Sequence, residues 1–132
     1  MTATENVHEH EINKFGSQAE RWWDRNGEFK TLHDINPLRI SFIQKFIGLQ
    51  DQRIVDVGCG GGILTEGLAK KGAQMLGIDL SEDLIDIAAL HGLESGVNAH
   101  YKKISAEALA QDEPASFNHV VCMEMLEHVP EP

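Results

Sequence analysis

The stretch Val55-Asp-Val-Gly-Cys-Gly-Gly-Gly62 is the end of a β-branched strand running straight into four glycines and one cysteine. Glycines placed after a strand and before a helix let a ligand approach the backbone, and the helix N-terminus offers N–H groups to it. The strand starts at Arg53. In the helix that follows, Ile63, Leu64 and Leu68 point inward, and Lys70 and Lys71 sit near its negative end before Gly72. A second strand, 73–80, carries Asp79 near its end. A carboxylate there stands beside the first strand's tip, where it accepts hydrogen bonds from ribose hydroxyls. The pattern predicts a nucleoside-binding crevice at the carboxyl ends of parallel strands.

Toward the C-terminus, Ser81 caps a helix whose first turn holds Glu82 and Asp83, with Leu84, Ile85 and Ala88 buried and Gly92 or Gly96 at its end. A third strand is expected near 100–105 and, after the segment 106–113, a fourth at 117–123. This alternation makes an α/β fold, a parallel sheet with helices on both faces. No helix follows to cover the fourth strand before Pro130-Glu-Pro132, so the chain reads as truncated after that strand, the N-terminal part of a longer protein.

Toward the N-terminus, Ile12, Phe15, Ala19, Trp22 and Trp23 recur at helical spacing over about 9–24. The two tryptophans either pack on the main body or close over a ligand. Residues 26–36 read as a loop. Asn36 and Pro37 then read as N-cap and first position of a helix to Ile47, stopped at Gly48. Its wheel puts Leu38, Phe42, Ile43, Phe46 and Ile47 on one face with Arg39 in the middle, so that guanidinium must meet an anion, either an internal carboxylate or a ligand's. The division is residues 1–50 as an N-terminal helical cap and 51–132 as the first part of the nucleoside-binding domain.

Composition narrows the function. The 132 residues carry 11 Lys plus Arg against 21 Asp plus Glu, a net charge of −10, so phosphate backbones are repelled and no nucleic-acid partner is expected. No apolar run approaches the roughly 20 residues of a membrane span. Two cysteines, Cys59 and Cys122, make no disulfide framework and point to a reducing cytoplasm. The glycines do not fit the other nucleotide fingerprints. G-x-G-x-x-G needs glycine where Ile63 stands, and a phosphate-binding loop needs Gly-Lys-Ser/Thr where Leu64-Thr-Glu66 stands. Asp56, two residues before the first glycine, does nothing for a pyrophosphate but suits a ligand with a cationic amino group. That points to S-adenosylmethionine, with its ammonium and sulfonium.

Val55 to Gly62, with Gly77-Ile-Asp79 ending the second strand, resembles the first motifs of class I S-adenosylmethionine-dependent methyltransferases, whose fold is Rossmann-like. Arg21-Trp-Trp-Asp24, Gly27-Glu-Phe-Lys30, Leu32-His33, Ile35-Asn-Pro-Leu-Arg39 and Cys122-Met-Glu-Met-Leu-Glu-His-Val-Pro130 are more specific. Together they resemble the ubiquinone-biosynthesis O-methyltransferase family across essentially the whole chain. The resemblance implies methyl transfer to a phenolic or catechol hydroxyl of a polyprenylated ubiquinone precursor, with Arg39, Gly58, Asp79 and Met123 contacting the donor and Asp56 and Gly60 beside it. It also implies a further hundred or so residues, about an ordinary domain's remainder. The isoprenoid acceptor suggests a peripheral association with the inner face of the membrane, or a complex with other enzymes of ubiquinone biosynthesis. Two other readings stay open: an NAD-binding oxidoreductase, and a non-catalytic S-adenosylmethionine-binding fragment. Glu107 reads as a solvated helix-start carboxylate, with contact to the adenine amino group as the alternative, and Cys59 as unreactive.

Glu124, Glu127 and His128 share one face if their segment is helical. They form a Mg²⁺ site that holds a catechol oxygen and lowers its pKa, or His128 acts as a metal-free general base, or the three are local helix-end groups.

Overall fold

Strand β1 (Arg53–Val57) lies at the centre of a four-stranded parallel sheet of order β3-β2-β1-β4, with β2 Gln74–Asp79, β3 Ala99–Lys103 and β4 His119–Val121. The computed structural model describes residues 18–112 and 116–123. Its helices are α1 (Lys30–Gln44), α2 (Ile63–Lys70), α3 (Glu82–Ser95) and α4 (Ala106–Asp112), preceded by helical residues 18–23. All four strands and the two helices after β1 and β2 stand where the alternation predicts them. β1 has the expected bounds, β2 and β4 are shorter at both ends and β3 begins and ends earlier, and the segment after β3 is helical, with the Ser105 hydroxyl accepting from the Ala108 amide.

Period-two alternation divides the core. Ile54, Met75 and Val121 face a layer formed by Ile40 and Ile43 of α1 and Leu64 and Leu68 of α2. Val55, Val57 and Ile78 face the other way, onto Leu109 of α4. Helices therefore cover both sheet faces, as the strand–helix alternation requires. Ser81 caps α3 by accepting from the Leu84 amide, and Gly96, in the left-handed region at φ 68°, ends it. No described helix is long and apolar enough to cross a membrane.

Three expectations for the N-terminal part are corrected. Residues 30–36 are helical rather than loop, because α1 begins at Lys30. Pro37 lies inside α1 rather than at its first position, and Asn36 is no N-cap. An interior proline forfeits one backbone bond. Burial of Ile40 and Ile43 offsets that loss, and Asn36 Nδ2 donates to the Ile63 carbonyl at 3.2 Å, pinning α1 to the start of α2. The buried face also differs. Leu38, Phe42 and Phe46 are exposed, whereas Ile43 is buried and Ile47 half-buried as expected, with Ile40 buried beside them. Both sides of this helix are apolar, so periodicity alone did not say which one faces the sheet.

Candidate functional site

The end of β1 turns sharply through Gly58, Gly60 and Gly62, all at positive φ. The amides of Gly58 and Cys59 both donate to the Ile78 carbonyl (2.9 and 3.0 Å), and the Gly60 amide donates to Asp79 Oδ2 at 3.0 Å. The other Asp79 oxygen accepts from the Ser81 amide at 2.9 Å. Asp79 thus ties the glycine turn to the tip of β2 and keeps further lone pairs for a ligand. With the Gly62 amide donating to the Cys59 carbonyl at 3.1 Å, four of the turn's N–H groups are consumed inside the protein, so the turn is not the open phosphate cradle that free amides would make.

Next to Asp79 opens a cavity of about 450 Å³, walled by Val57, Gly58, Ile78, Leu80, Leu84, Ile104, Ser105, Ala106 and Glu107. Its walls are largely apolar with a carboxylate at one edge, the profile of a pocket for a flat base and a polar sugar. Leu80, directly after β2, is 66% exposed and lines this cavity. Glu107 is exposed and stands on the cavity wall, where the sequence reading favoured a purely solvated role.

Of the residues singled out from the sequence, Gly58 and Asp79 line this cavity and Gly60 is bonded to Asp79. Asp56 is buried at the end of β1, where its Oδ2 accepts from the Thr65 hydroxyl at 2.7 Å. Arg39 is half-buried on α1 and engaged within the fold. Met123 packs against the core layer that includes Ile40 and Leu64. Neither Arg39 nor Met123 is among the cavity's lining residues. Glu124, Glu127 and His128 lie outside the described residues, among which no group of three His, Cys, Asp or Glu side chains could hold a metal.

Cys59 lies against Gly77. Burial, then the charges of Asp56 and Asp79, push its thiol far above the ordinary range, which disfavours the thiolate. The tryptophans sit directly on the glycine turn. Trp23 Nε1 donates to the Gly61 carbonyl at 3.1 Å, and its ring lies parallel to that of His91 with centroids 3.5 Å apart. His91 Nδ1 in turn meets the buried carboxylate of Glu66 at 2.6 Å. Sequence reasoning missed this clasp, because Glu66 looks like an ordinary first-turn acid, as well as the walls Leu80, Ile104 and Ser105. The signal for those walls was their position at the carboxyl ends of β2 and β3.

A family model described as "Methyltransferase domain" matches residues 54–132. The chain belongs to the methyltransferase-domain family. Within it, the chain is 63% identical over 130 residues to a ubiquinone biosynthesis O-methyltransferase of Methylococcus capsulatus, covering 98% of this chain and 55% of that one. It is 54% identical over 132 residues to the protein of the same name from Hahella chejuensis, covering 100% of this chain and 56% of that one. The methyltransferase chain thus spans about half the length of these curated relatives. Among solved structures it is similar to magnesium protoporphyrin IX methyltransferase from Synechocystis PCC 6803 with bound SAM. That match has a TM-score of 0.68 at 21% identity and covers 98% of this chain and 66% of that one, a likeness of fold. The Rossmann-like methyltransferase fold expected from the glycine motif is therefore established.

Proposed function

We propose that this chain is the donor-binding part of an S-adenosylmethionine-dependent O-methyltransferase acting on a phenolic or catechol hydroxyl of a polyprenylated ubiquinone precursor. One observation carries the donor reading: the cavity is lined by Gly58 and Asp79 together with Leu80, Leu84 and Ile104, the ribose acceptor and apolar cover that a nucleoside needs. The acceptor class comes from the names of the relatives and from the combined motifs in 21–39 and 122–130. When bound, the donor supplies an electrophilic methyl group on a sulfonium sulfur.

The residues present suit that group. Asp79, held by two backbone amides, is pre-organised to accept from ribose hydroxyls without rearranging. Leu80, Leu84 and Ile104 keep water from the base, and Glu107 stands within the same wall to accept from its amino group. Buried Asp56 places negative charge behind Gly58, favourable for an ammonium. Arg39 and Met123 complete the donor contacts on the family pattern. Glu124, Glu127 and His128 would hold a Mg²⁺ ion, which would lower the pKa of the phenol, or His128 takes the phenolic proton as a metal-free base; hard oxygen ligands favour Mg²⁺ over Zn²⁺. The acceptor's isoprenoid tail supports peripheral membrane contact or a multi-enzyme complex, and the two cysteines without a disulfide framework support a cytoplasmic location.

Calorimetric titration tests the donor reading. S-adenosylhomocysteine is expected to bind and NAD not to, and Asp79→Asn is expected to weaken binding at least about tenfold, the loss of a charge-assisted bond. Preference for NAD would instead make the chain an oxidoreductase module, and a folded chain that binds neither would overturn the reading.

A further inference from the structure

Trp23 is a large aromatic side chain that belongs to neither apolar layer of the sheet. It is half-buried, and its neighbours are polar. The indole lies parallel to the His91 ring of α3, with centroids 3.5 Å apart, and edge-on to the His33 ring of α1 at 5.4 Å. Its Nε1 donates to the Gly61 carbonyl at 3.1 Å. A tryptophan that served packing alone would sit in an apolar layer; this one is gripped by two imidazoles and aims its N–H at the backbone of the glycine turn.

These contacts close on themselves. His91 Nδ1 meets Glu66 Oε2 at 2.6 Å, Glu66 belongs to α2, and its amide donates to the Gly62 carbonyl at 2.9 Å. Gly61, Trp23, His91, Glu66 and Gly62 therefore make one circuit around the junction of the turn with α2. The first half of the turn is held differently: the Gly58 and Cys59 amides bond to the Ile78 carbonyl and the Gly60 amide to Asp79, all on β2. Each half thus has its own holder. Gly60 and Gly62, on either side of Gly61, stand at positive φ, and glycine backbone has many alternative conformations once a holding bond is lost. Release of the Gly61 carbonyl frees the chain next to Gly60, whose amide orients the Asp79 carboxylate beside the large cavity.

We infer, on the methyl-donor reading of the site, that Trp23 is a positioning residue for donor binding. It touches no ligand itself. It fixes the second half of the glycine turn through the Gly61 carbonyl, and thereby the Gly60 amide and Asp79, while His91, backed by buried Glu66, holds the indole in place.

Calorimetry with S-adenosylhomocysteine on Trp23→Phe tests this role, because phenylalanine keeps a ring against His91 and removes the N–H. Measured where circular dichroism shows both proteins folded, binding is expected to be about fivefold weaker, the effect of one neutral bond that pre-organises the site. Because Trp23 acts through Asp79, the same substitution made in Asp79→Asn should weaken binding less than about twofold further. A merely structural role would lower the denaturation midpoint and leave the affinity of the folded protein alone. Unchanged affinity in folded Trp23→Phe, or an equal loss with and without Asp79→Asn, would overturn the role of Trp23 while leaving the donor site standing. Failure of the unsubstituted protein to bind S-adenosylhomocysteine would overturn the donor reading, and this role with it. Should Trp23→Phe not fold, hydrogen exchange in the unsubstituted protein decides. A bond that prepares the turn for the donor is strengthened by the donor in return, so saturating S-adenosylhomocysteine should slow exchange of the Trp23 indole N–H at least about fivefold more than that of the Leu93 and Glu94 amides near the end of α3. Equal slowing, or none, rejects the role.

Discussion

The Asp79 carboxylate accepts the Gly60 amide at 3.0 Å across 19 residues of chain, and this bond joins the tip of β2 to the turn after β1. The same carboxylate accepts the Ser81 amide at 2.9 Å. Asparagine offers one acceptor oxygen and turns an NH₂ toward the second amide. Asp79→Asn is therefore expected to lower stability by about 1–3 kcal/mol, the cost of a stranded donor, in addition to weakening donor binding. Urea denaturation with an unchanged slope checks the first effect, and an unaltered midpoint would show that the bond contributes nothing to folding.

Gly61→Ala should be among the more damaging small substitutions, because its methyl collides with the Trp22 indole. Overpacking of this kind costs about 1–3 kcal/mol, and the displaced indole should shift tryptophan fluorescence to the red. Gly48→Ala is the matched control: a Cβ there meets nothing within 4 Å, so the midpoint should stay put or rise slightly.

Glu66 is 1% exposed and has two basic neighbours, His91 at 2.6 Å and the half-exposed Lys70 at 3.6 Å. His91→Ala removes both the bond to a buried carboxylate and the stack on Trp23, and should cost about 3 kcal/mol. Lys70→Ala should cost less than about 1 kcal/mol, because water screens its long, exposed contact. Equal effects in thermal denaturation would contradict this ranking.

Burial raises both the Cys59 thiol and the Tyr101 phenol, and neighbouring acidic groups push each further the same way. In the unfolded chain these groups ionise near their ordinary values of about 8.5 and 10, while the folded chain still holds both protons. The folded state then binds more protons, so stability is fully present below about pH 8 and falls as pH rises through 9 and 10. Denaturation midpoints measured across that range test the sign. A thiol reagent at pH 8 should label Cys59 far more slowly in the folded chain than in the denatured one.

For the metal, Glu124, Glu127 and His128 as ligands predict that EDTA abolishes methylation by the complete protein and that Mg²⁺ restores it. Activity that survives EDTA but is lost in His128→Ala would instead establish a metal-free base.

The glycine turn, the strands around it and Asp79 were legible in the sequence because each rests on short-range rules: β-branched runs, glycines at the strand–helix junction, a Ser cap, and a fixed spacing to the next strand tip. The N-terminal helix was less legible. Its Asn36-Pro37 pair obeys a local rule for helix starts, but seven residues earlier the chain is already helical, since packing of Ile40 and Ile43 on α2 outweighs the bond that Pro37 forfeits. The wheel of that helix placed Ile43 and Ile47 correctly but also Leu38, Phe42 and Phe46, which match them in hydrophobicity; only the position of the sheet separates the two sets.

The amino-acid sequence by itself determined the fold family, the donor-type glycine turn and the acidic tip of β2, because those depend on residues close together along the chain. Only the tertiary structure decided that the Gly58, Cys59 and Gly60 amides are consumed internally, that Trp22 covers Gly61, and that Glu66, His91 and Trp23 form one clasp. Those relationships join residues 19 to 68 positions apart, and what brings them together is the burial of two apolar layers on opposite faces of one sheet.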